Sequence, residues 1–316
     1  MSTIRFESLG YDVLQCICLF KECRLLSKYI KEVFDDNNEA LVFDLSCPHD
    51  LNFVTDMLSN KKDKLTCLHL IGDKYEKAIE QRIPSIASKI VLLKQLKKMK
   101  ISRIGFVGMA TLAPTLVGMT GLRSLDLRDN GFGENGMTSV LSFLGELTNI
   151  QTLDLSRAFT CIGGKMAYLA SSLKNLTRLL SLDLSRNSFS EHGMRDLAAV
   201  FKDLTSLKTL NISNNLIQDG GVMYLCNDLK YLTLLHTLDI SDNLIGDIGI
   251  SRLAPTLRGL TGLRILDLSK NLFGEEEASS FEEFSGLKIQ ISPQKYNTEI
   301  TFGWTATELF SINNYT

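Results

Sequence analysis

The chain has 316 residues, is 44% hydrophobic and 22% charged, and carries a formal net charge of -2. That mix excludes a disordered chain, and the near-neutral balance offers no overall field to gather nucleic acid or anionic lipid, so neither is expected as a partner. No uncharged apolar run approaches the ~20 residues of a membrane span, the opening MSTIRFESLGYDV lacks a secretory pattern, and seven scattered cysteines read as free thiols in a reducing cytoplasm.

Residues 1–38 stand apart from the rest of the chain. FESLGYDVLQCICLF reads as a short helix with Leu9, Val13, Leu14, Ile17 and Phe20 on one side. CRLLSKYIKEVFDDNN reads as a second helix, ending at Asp35-Asp36-Asn37-Asn38. The leucine start, the DVLxxI run and the CRLLSKYIKEVFDD helix resemble an F-box, and repeats begin directly afterwards, as is usual in that family. The resemblance implies that Leu9, Val13, Leu14 and Ile17 meet a ubiquitin-ligase adaptor protein. The segment has no proline beside Leu9, a short connection between Leu19 and Cys23, and Ile30 where tryptophan is frequent. On the residues alone it reads equally as a helical cap over the apolar end of a repeat array.

From residue 39 to 290 one phrase recurs. Its clear copies are GLRSLDLRDNGF, NIQTLDLSRAF, RLLSLDLSRNSF, SLKTLNISNNLI, LLHTLDISDNLI and GLRILDLSKNLF. The first core leucines are Leu125, Leu153, Leu182, Leu210, Leu238 and Leu266, at steps of 28, 29, 28, 28 and 28 residues. Weaker copies precede them at Phe43-Asp44-Leu45, Leu68-His69-Leu70 and Met99-Lys100-Ile101, and one follows at Leu287-Lys288-Ile289. The total is about nine repeats. Residues 108–134 also match 249–275 at an offset of 141, or about five repeats.

Each repeat changes period halfway. The L-x-x-L-D-L-S half alternates apolar and polar residues, as a strand with one buried face does. The second half spaces apolar residues helically, for example Met194, Leu197, Val200, Phe201 and Leu204. Gly164, Gly193, Gly221 and Gly249 fall near helix entry, where tight geometry favours glycine. One strand and one helix in under 30 residues cannot bury their own apolar faces, whereas stacked copies can. The fold class predicted is α/β: a right-handed solenoid with a parallel concave sheet and convex helices.

Asn130, Asn187, Asn215, Asn243 and Asn271 each lie five residues after a first core leucine. A buried asparagine there supplies two donors and an acceptor to turn backbone groups of its own and the next repeat. Ala158 and Ile104 interrupt this ladder, through tolerated drift or a local kink. Leu-x-x-Leu-Asp-Leu-Ser-x-Asn, with the 28-residue period and helical second half, resembles the ribonuclease-inhibitor-like subclass of leucine-rich repeats over about residues 40–290. The resemblance implies a horseshoe and protein recognition on its inner face. With the F-box-like start it implies a ubiquitin-ligase substrate receptor. The alternative is a stand-alone binder or inhibitor.

Nothing in the pattern points to catalysis, and no cofactor is expected. Gly131-Phe132-Gly133-Glu134-Asn135-Gly136 spells G-x-G-x-x-G inside a repeat turn, without the βαβ setting a dinucleotide site needs. Cys16, Cys18, Cys23, Cys47, His49, Cys67 and His69 include no paired C-x2-C knuckles, so no metal site is expected. Lys94, Lys97, Lys98 and Lys100 read as a solvated helix end. His192 and His236 read as surface or turn residues.

The residues between core leucines point away from the core. One column reads Asp126, Asp154, Asp183, Asn211, Asp239, Asp267. Adjacent positions supply Arg128, Arg157, Arg186, Asp242 and Lys270, whose variation from repeat to repeat suits specificity. Like charges in register cost energy, so the column reads either as scaffold relieved by serine and arginine neighbours or as an acidic face for a basic partner. Residues 291–316 leave the pattern, and Ile300, Phe302, Trp304 and Phe310 are expected to cap the last strand edge.

Overall fold

Leucines on alternate positions of each strand, and every third or fourth position of each helix, leave a repeat with two apolar faces that only its neighbours can cover. The computed structural model describes residues 40–45, 55, 58–60, 62–72, 77–160, 166–281, 284, 286–291 and 300–301. Ten parallel strands form one sheet in chain order: β1 (Ala40–Asp44), β2 (Cys67–Ile71), β3 (Lys98–Ser102), β4 (Ser124–Asp126), β5 (Thr152–Asp154), β6 (Ser181–Asp183), β7 (Thr209–Asn211), β8 (Thr237–Asp239), β9 (Ile265–Asp267) and β10 (Lys288–Ile291). An eleventh, β11 (Ile300–Thr301), pairs antiparallel with β10. The last copy is a strand of the array, but shifted by two from the expected Leu287-Lys288-Ile289, since Ile289 pairs with Leu266; likewise Leu41, and not Phe43, pairs with Leu68. The N-terminal helices, with Leu9, Val13, Leu14 and Ile17, lie outside the described residues, as do Phe302, Trp304 and Phe310.

Between the strands run helices α1 (Lys77–Ile90), α2 (Gly105–Leu116), α3 (Glu134–Leu144), α4 (Met166–Leu173), α5 (Glu191–Ala198), α6 (Gln218–Leu229), α7 (Asp247–Leu257) and α8 (Glu275–Ser279). One continuous core links them, from Phe43 to Ile291, with the strand leucines and Phe132, Phe143, Phe189, Phe201 and Phe273 almost fully buried. Strands pack ~4.8 Å apart and helices ~8–10 Å apart, so the array bends toward its sheet and the exposed strand face is the inner one.

The strands pair in register, core leucine beside core leucine, from Leu125↔Leu153 through Leu238↔Leu266. Strands β3 to β9 each end in a turn whose fourth residue after the first core position has positive φ. These residues are Arg103, Asp129, Arg157, Arg186, Asn214, Asp242 and Lys270, with φ between 49° and 60°. The N–H groups of Asp129, Arg157, Arg186, Asn214 and Asp242 donate to the serine carbonyl one repeat on, as in Arg186 to Ser213 at 2.9 Å and Asn214 to Ser241 at 2.9 Å.

The asparagine ladder closes these turns. Asn215 Oδ1 accepts from the Asn187 and Phe189 backbones, both at 3.0 Å, and its amide donates to Leu184, Ile212 and Ser213 carbonyls at 3.2, 2.9 and 3.1 Å. At Ala158 the turn is rebuilt. Ala158 N–H donates within its own repeat to Leu155 O at 3.1 Å, and Phe132 N–H donates to Ala158 O at 2.6 Å. Asn187 reaches across to Phe159 N at 3.0 Å and Leu155 O at 2.8 Å. The interruption is thus a local change of turn and not empty drift. Ile104 keeps the ladder by its backbone alone, donating to Asn130 Oδ1 at 3.1 Å.

Of the helix-entry glycines, Gly221 and Gly249 serve close approach, while a Cβ at Gly193 would meet nothing nearer than 3.6 Å and Gly164 lies outside the described residues. A Cβ at Gly249 would sit 2.5 Å from Asp219 Oδ1 and 2.6 Å from Ile245 Cγ2. Asp219, in the first turn of α6, needs that space because its carboxylate accepts from Gly246 N at 2.7 Å and Gly249 N at 3.0 Å. It therefore caps the start of α7, one repeat further on. The G-x-G-x-x-G run is also structural: Gly131 has a φ of 58°, and a Cβ at Gly136 would meet Phe132 Cβ at 2.7 Å.

Candidate recognition face

The inner face is a ladder of side chains set by strand register. Reading across the sheet, the central column runs Val42, His69, Lys100, Asp126, Asp154, Asp183, Asn211, Asp239, Asp267, Gln290. The expected acidic column is brought together, but its carboxylates are half-buried and not fully open. One oxygen of each is committed to its own strand end. Asp126, Asp154, Asp183, Asn211, Asp239 and Asp267 each accept from the backbone N–H two residues on, at 2.9–3.0 Å. Ser156, Ser213 and Ser241 hydroxyls add a second donor at 2.6–2.7 Å. The scaffold role is therefore real, and the second oxygens of Asp126, Asp154 and Asp183 are engaged by Arg128 and Asn211.

Compensation of that charge is uneven. Arg128 bridges Asp126 at 2.9 Å and Asp154 at 2.8 Å, and Lys100 lies 3.5 Å from Asp126. Even so, burial and the neighbouring Asp183 and Asp126 push the Asp154 carboxyl up to about 6, because one guanidinium shared between two acids does not offset them. Asn211 donates to Asp183 Oδ2 at 3.0 Å, a neutral residue relieving the middle of the column. Further on, burial and the Asp267 carboxylate push Asp239 up to about 6. No ion pair reaches Asp239 or Asp267 among the described residues.

The early end differs in sign. His69 is buried beside Lys100, its ring 3.5 Å from Ser102 Oγ, and burial and the Lys100 charge lower its pKa to about 4, so it is neutral at pH 7. Lys98 and Lys100 lie on β3, which corrects the expected helix end, while Lys94 and Lys98 are exposed as expected. Here the inner face widens into a groove of about 850 Å³ lined by Lys100, Arg103, Arg128, Arg157 and Arg186 against the carboxylate of Asp129. Arg157 pairs with Asp129 at 3.1 Å. Asp242 lies later in the same outer column, accepting from the Asn214 amide, and Lys270 follows it. The regular copies alone do not place His69, Lys100 and Arg103 on this face; strand register extends the columns back to His69 and Lys100, and the groove lining adds Arg103. His192 is exposed and His236 partly so. Among the described residues no three His, Cys, Asp or Glu side chains cluster as metal ligands, and no helix is long and apolar enough to cross a membrane.

Residues 119–141, 203–226 and 231–254 match the family model described as Leucine Rich repeat. With ten parallel strands alternating with helices in one open sheet, that match defines an α/β leucine-rich repeat solenoid. The chain is similar to an internalin from Listeria monocytogenes, at 19% identity over 79% of this chain and 86% of that one, with a TM-score of 0.35. It is similar to TLR13 in the TLR13-ssRNA13 complex, at 18% identity over 84% of this chain and 33% of that one, with a TM-score of 0.45. A protein from Bacteroides fragilis is similar at 16% identity over 93% of this chain and 76% of that one, with a TM-score of 0.45. No curated protein matches the chain. Proteins built of such repeats generally serve protein–protein recognition as binding scaffolds and typically lack enzymatic activity.

Proposed function

We propose that the chain recognises a protein partner on its inner sheet face and performs no catalysis. The observation that supports this is the in-register column ending in Asp239 and Asp267. Among the described residues no ion pair reaches either carboxylate, and a partner's lysine or arginine there would relieve the repulsion that raises Asp239. The 28-residue period and helical second half support the ribonuclease-inhibitor-like subclass. The test is affinity capture from the native cell with Asp239→Asn/Asp267→Asn, against Lys174→Glu on the exposed helical side as control. The partner should be lost with the first and kept with the second. Equal retention by both would remove the inner face from the account.

The F-box-like residues 1–38 support a finer reading, a substrate receptor that joins a ubiquitin ligase through Leu9, Val13, Leu14 and Ile17. Such an interface draws most of its energy from a few apolar anchors. Leu14→Asp should then abolish adaptor co-purification while the melting temperature of the repeats stays unchanged. A cap gives the opposite result, a stability loss of at least ~2–5 kcal/mol with no adaptor to lose, and favours the stand-alone binder.

A further inference from the structure

The rim of the basic groove continues as an apolar ridge. Six residues after each first core leucine the chain places Gly131, Phe159, Ser188, Leu216, Leu244 and Leu272. The first three line the groove with the arginines. Strand register carries the same column on to the three leucines, which are 43%, 40% and 44% exposed although each directly precedes a buried core residue, Ile217, Ile245 or Phe273. Leu244 is held at a φ of 59°, a left-handed conformation unfavourable for a leucine. Arg103, Arg157 and Arg186 occupy left-handed turns in the same way, at 56°, 49° and 60°, where glycine or asparagine is cheaper. Among the described residues Arg103 and Arg186 have no ion pair or side-chain hydrogen bond.

We infer that this rim binds an extended peptide segment of the partner, acidic where it crosses Arg157 and Arg186 and apolar where it crosses Leu216, Leu244 and Leu272. The inference rests on the recognition reading above and names its ligand class. Of the five lining cations, Lys100, Arg128 and Arg157 are paired with Asp126, Asp154 and Asp129, while Arg103 and Arg186, without an ion pair among the described residues, call for an anionic ligand; the adjoining leucines call for apolar side chains, and one segment satisfies both because the surface is continuous. Single-stranded nucleic acid fits less well. It binds by stacking bases on exposed aromatics, and the aromatic ring lining the groove, Phe159, is 3% exposed. From β5 to β9 there are four strand spacings, ~19 Å, which an extended peptide spans in about six residues.

The probe is a labelled, end-blocked peptide, Glu-Ser-Glu-Ser-Leu-Ser-Leu, whose alternate side chains face one way, titrated by fluorescence anisotropy into the full chain. Arg157→Glu/Arg186→Glu and Leu216→Ser/Leu244→Ser/Leu272→Ser should each weaken binding by about tenfold or more, equivalent to ~1.4 kcal/mol. Only the arginine variant should also lose the salt dependence. Circular dichroism melts check that both variants fold, and Arg186→Gln alone provides a milder version of the first. The inference is overturned if the wild type does not bind the peptide, if a Lys-for-Glu peptide binds equally, if the leucine variant binds as the wild type does, or if oligouridylate binds tighter than the peptide. Loss of partner capture in Asp239→Asn/Asp267→Asn alongside a failed peptide titration would sink this ligand and leave the recognition face standing.

Discussion

Asp239 shows how one side chain serves two purposes. Its Oδ1 holds the end of β8 by accepting from Ser241 N at 3.0 Å and Ser241 Oγ at 2.7 Å, while burial and Asp267 raise its pKa to about 6. Because the folded pKa lies above the ordinary value of 3.8, the folded state holds the proton more tightly. The ionised group's penalty is absent below pH 4, grows as pH rises to about 6 and is constant above. Asn211 makes the same strand-end bonds without a charge. Asp239→Asn should therefore stabilise the fold by about 1–2 kcal/mol at pH 7, discounted from the full shift because solvent and Asp267 share the effect, and by almost nothing at pH 4. Urea unfolding of both proteins from pH 4 to 7 checks this, and a difference independent of pH would show that ionisation is not its source. The column itself was legible from the 28-residue spacing. The half-burial and the unequal charge were not, because they depend on which arginine reaches which neighbouring strand.

At the scale of the element, the strand and helix halves of each repeat followed from their two periods, and the helix-entry glycines were visible as a pattern. Their reason was not: the space at Gly249 belongs to Asp219 of the preceding helix, and no local rule within one repeat names that neighbour. The asparagine ladder was legible because its five members fall at one position in each phrase. Asn215→Ala removes an acceptor for two buried backbone N–H groups and donors for three carbonyls. Leaving such groups unpaired should cost at least about 3 kcal/mol in denaturant melts; a neutral result would mean that water replaces the side chain. Ala158→Asn, which would nominally repair the ladder, should destabilise instead by about 1–3 kcal/mol. Ala158 is fully buried and its N–H is already bound to Leu155 O, so the added amide has neither room nor a free partner.

Across the whole molecule, a net charge of -2 conceals an inner face that runs from Lys100, Arg103, Arg128, Arg157 and Arg186 to Asp239 and Asp267. Summing the charge over the chain says nothing about this gradient, since it arises only when repeats some 28 residues apart become neighbours at ~4.8 Å. The same one-dimensional stacking makes the two ends special, because a terminal repeat has one uncovered face. At the C-terminal end, β11 covers two positions of β10 through Gln290↔Thr301 and Ile291↔Ile300, and beneath them Ile289 and Ile291 are buried. Removing residues 299–316 leaves the backbone of β10 as a bare edge beside an apolar face, which favours edge-to-edge association. The truncated chain should self-associate in light scattering. Its amide exchange should quicken in β9 and β10 and stay unchanged in β4 to β6, because each repeat feels chiefly its nearest neighbours. Equal acceleration from β4 to β10 would instead mean that the array opens as one cooperative unit and that the last edge secures all of it.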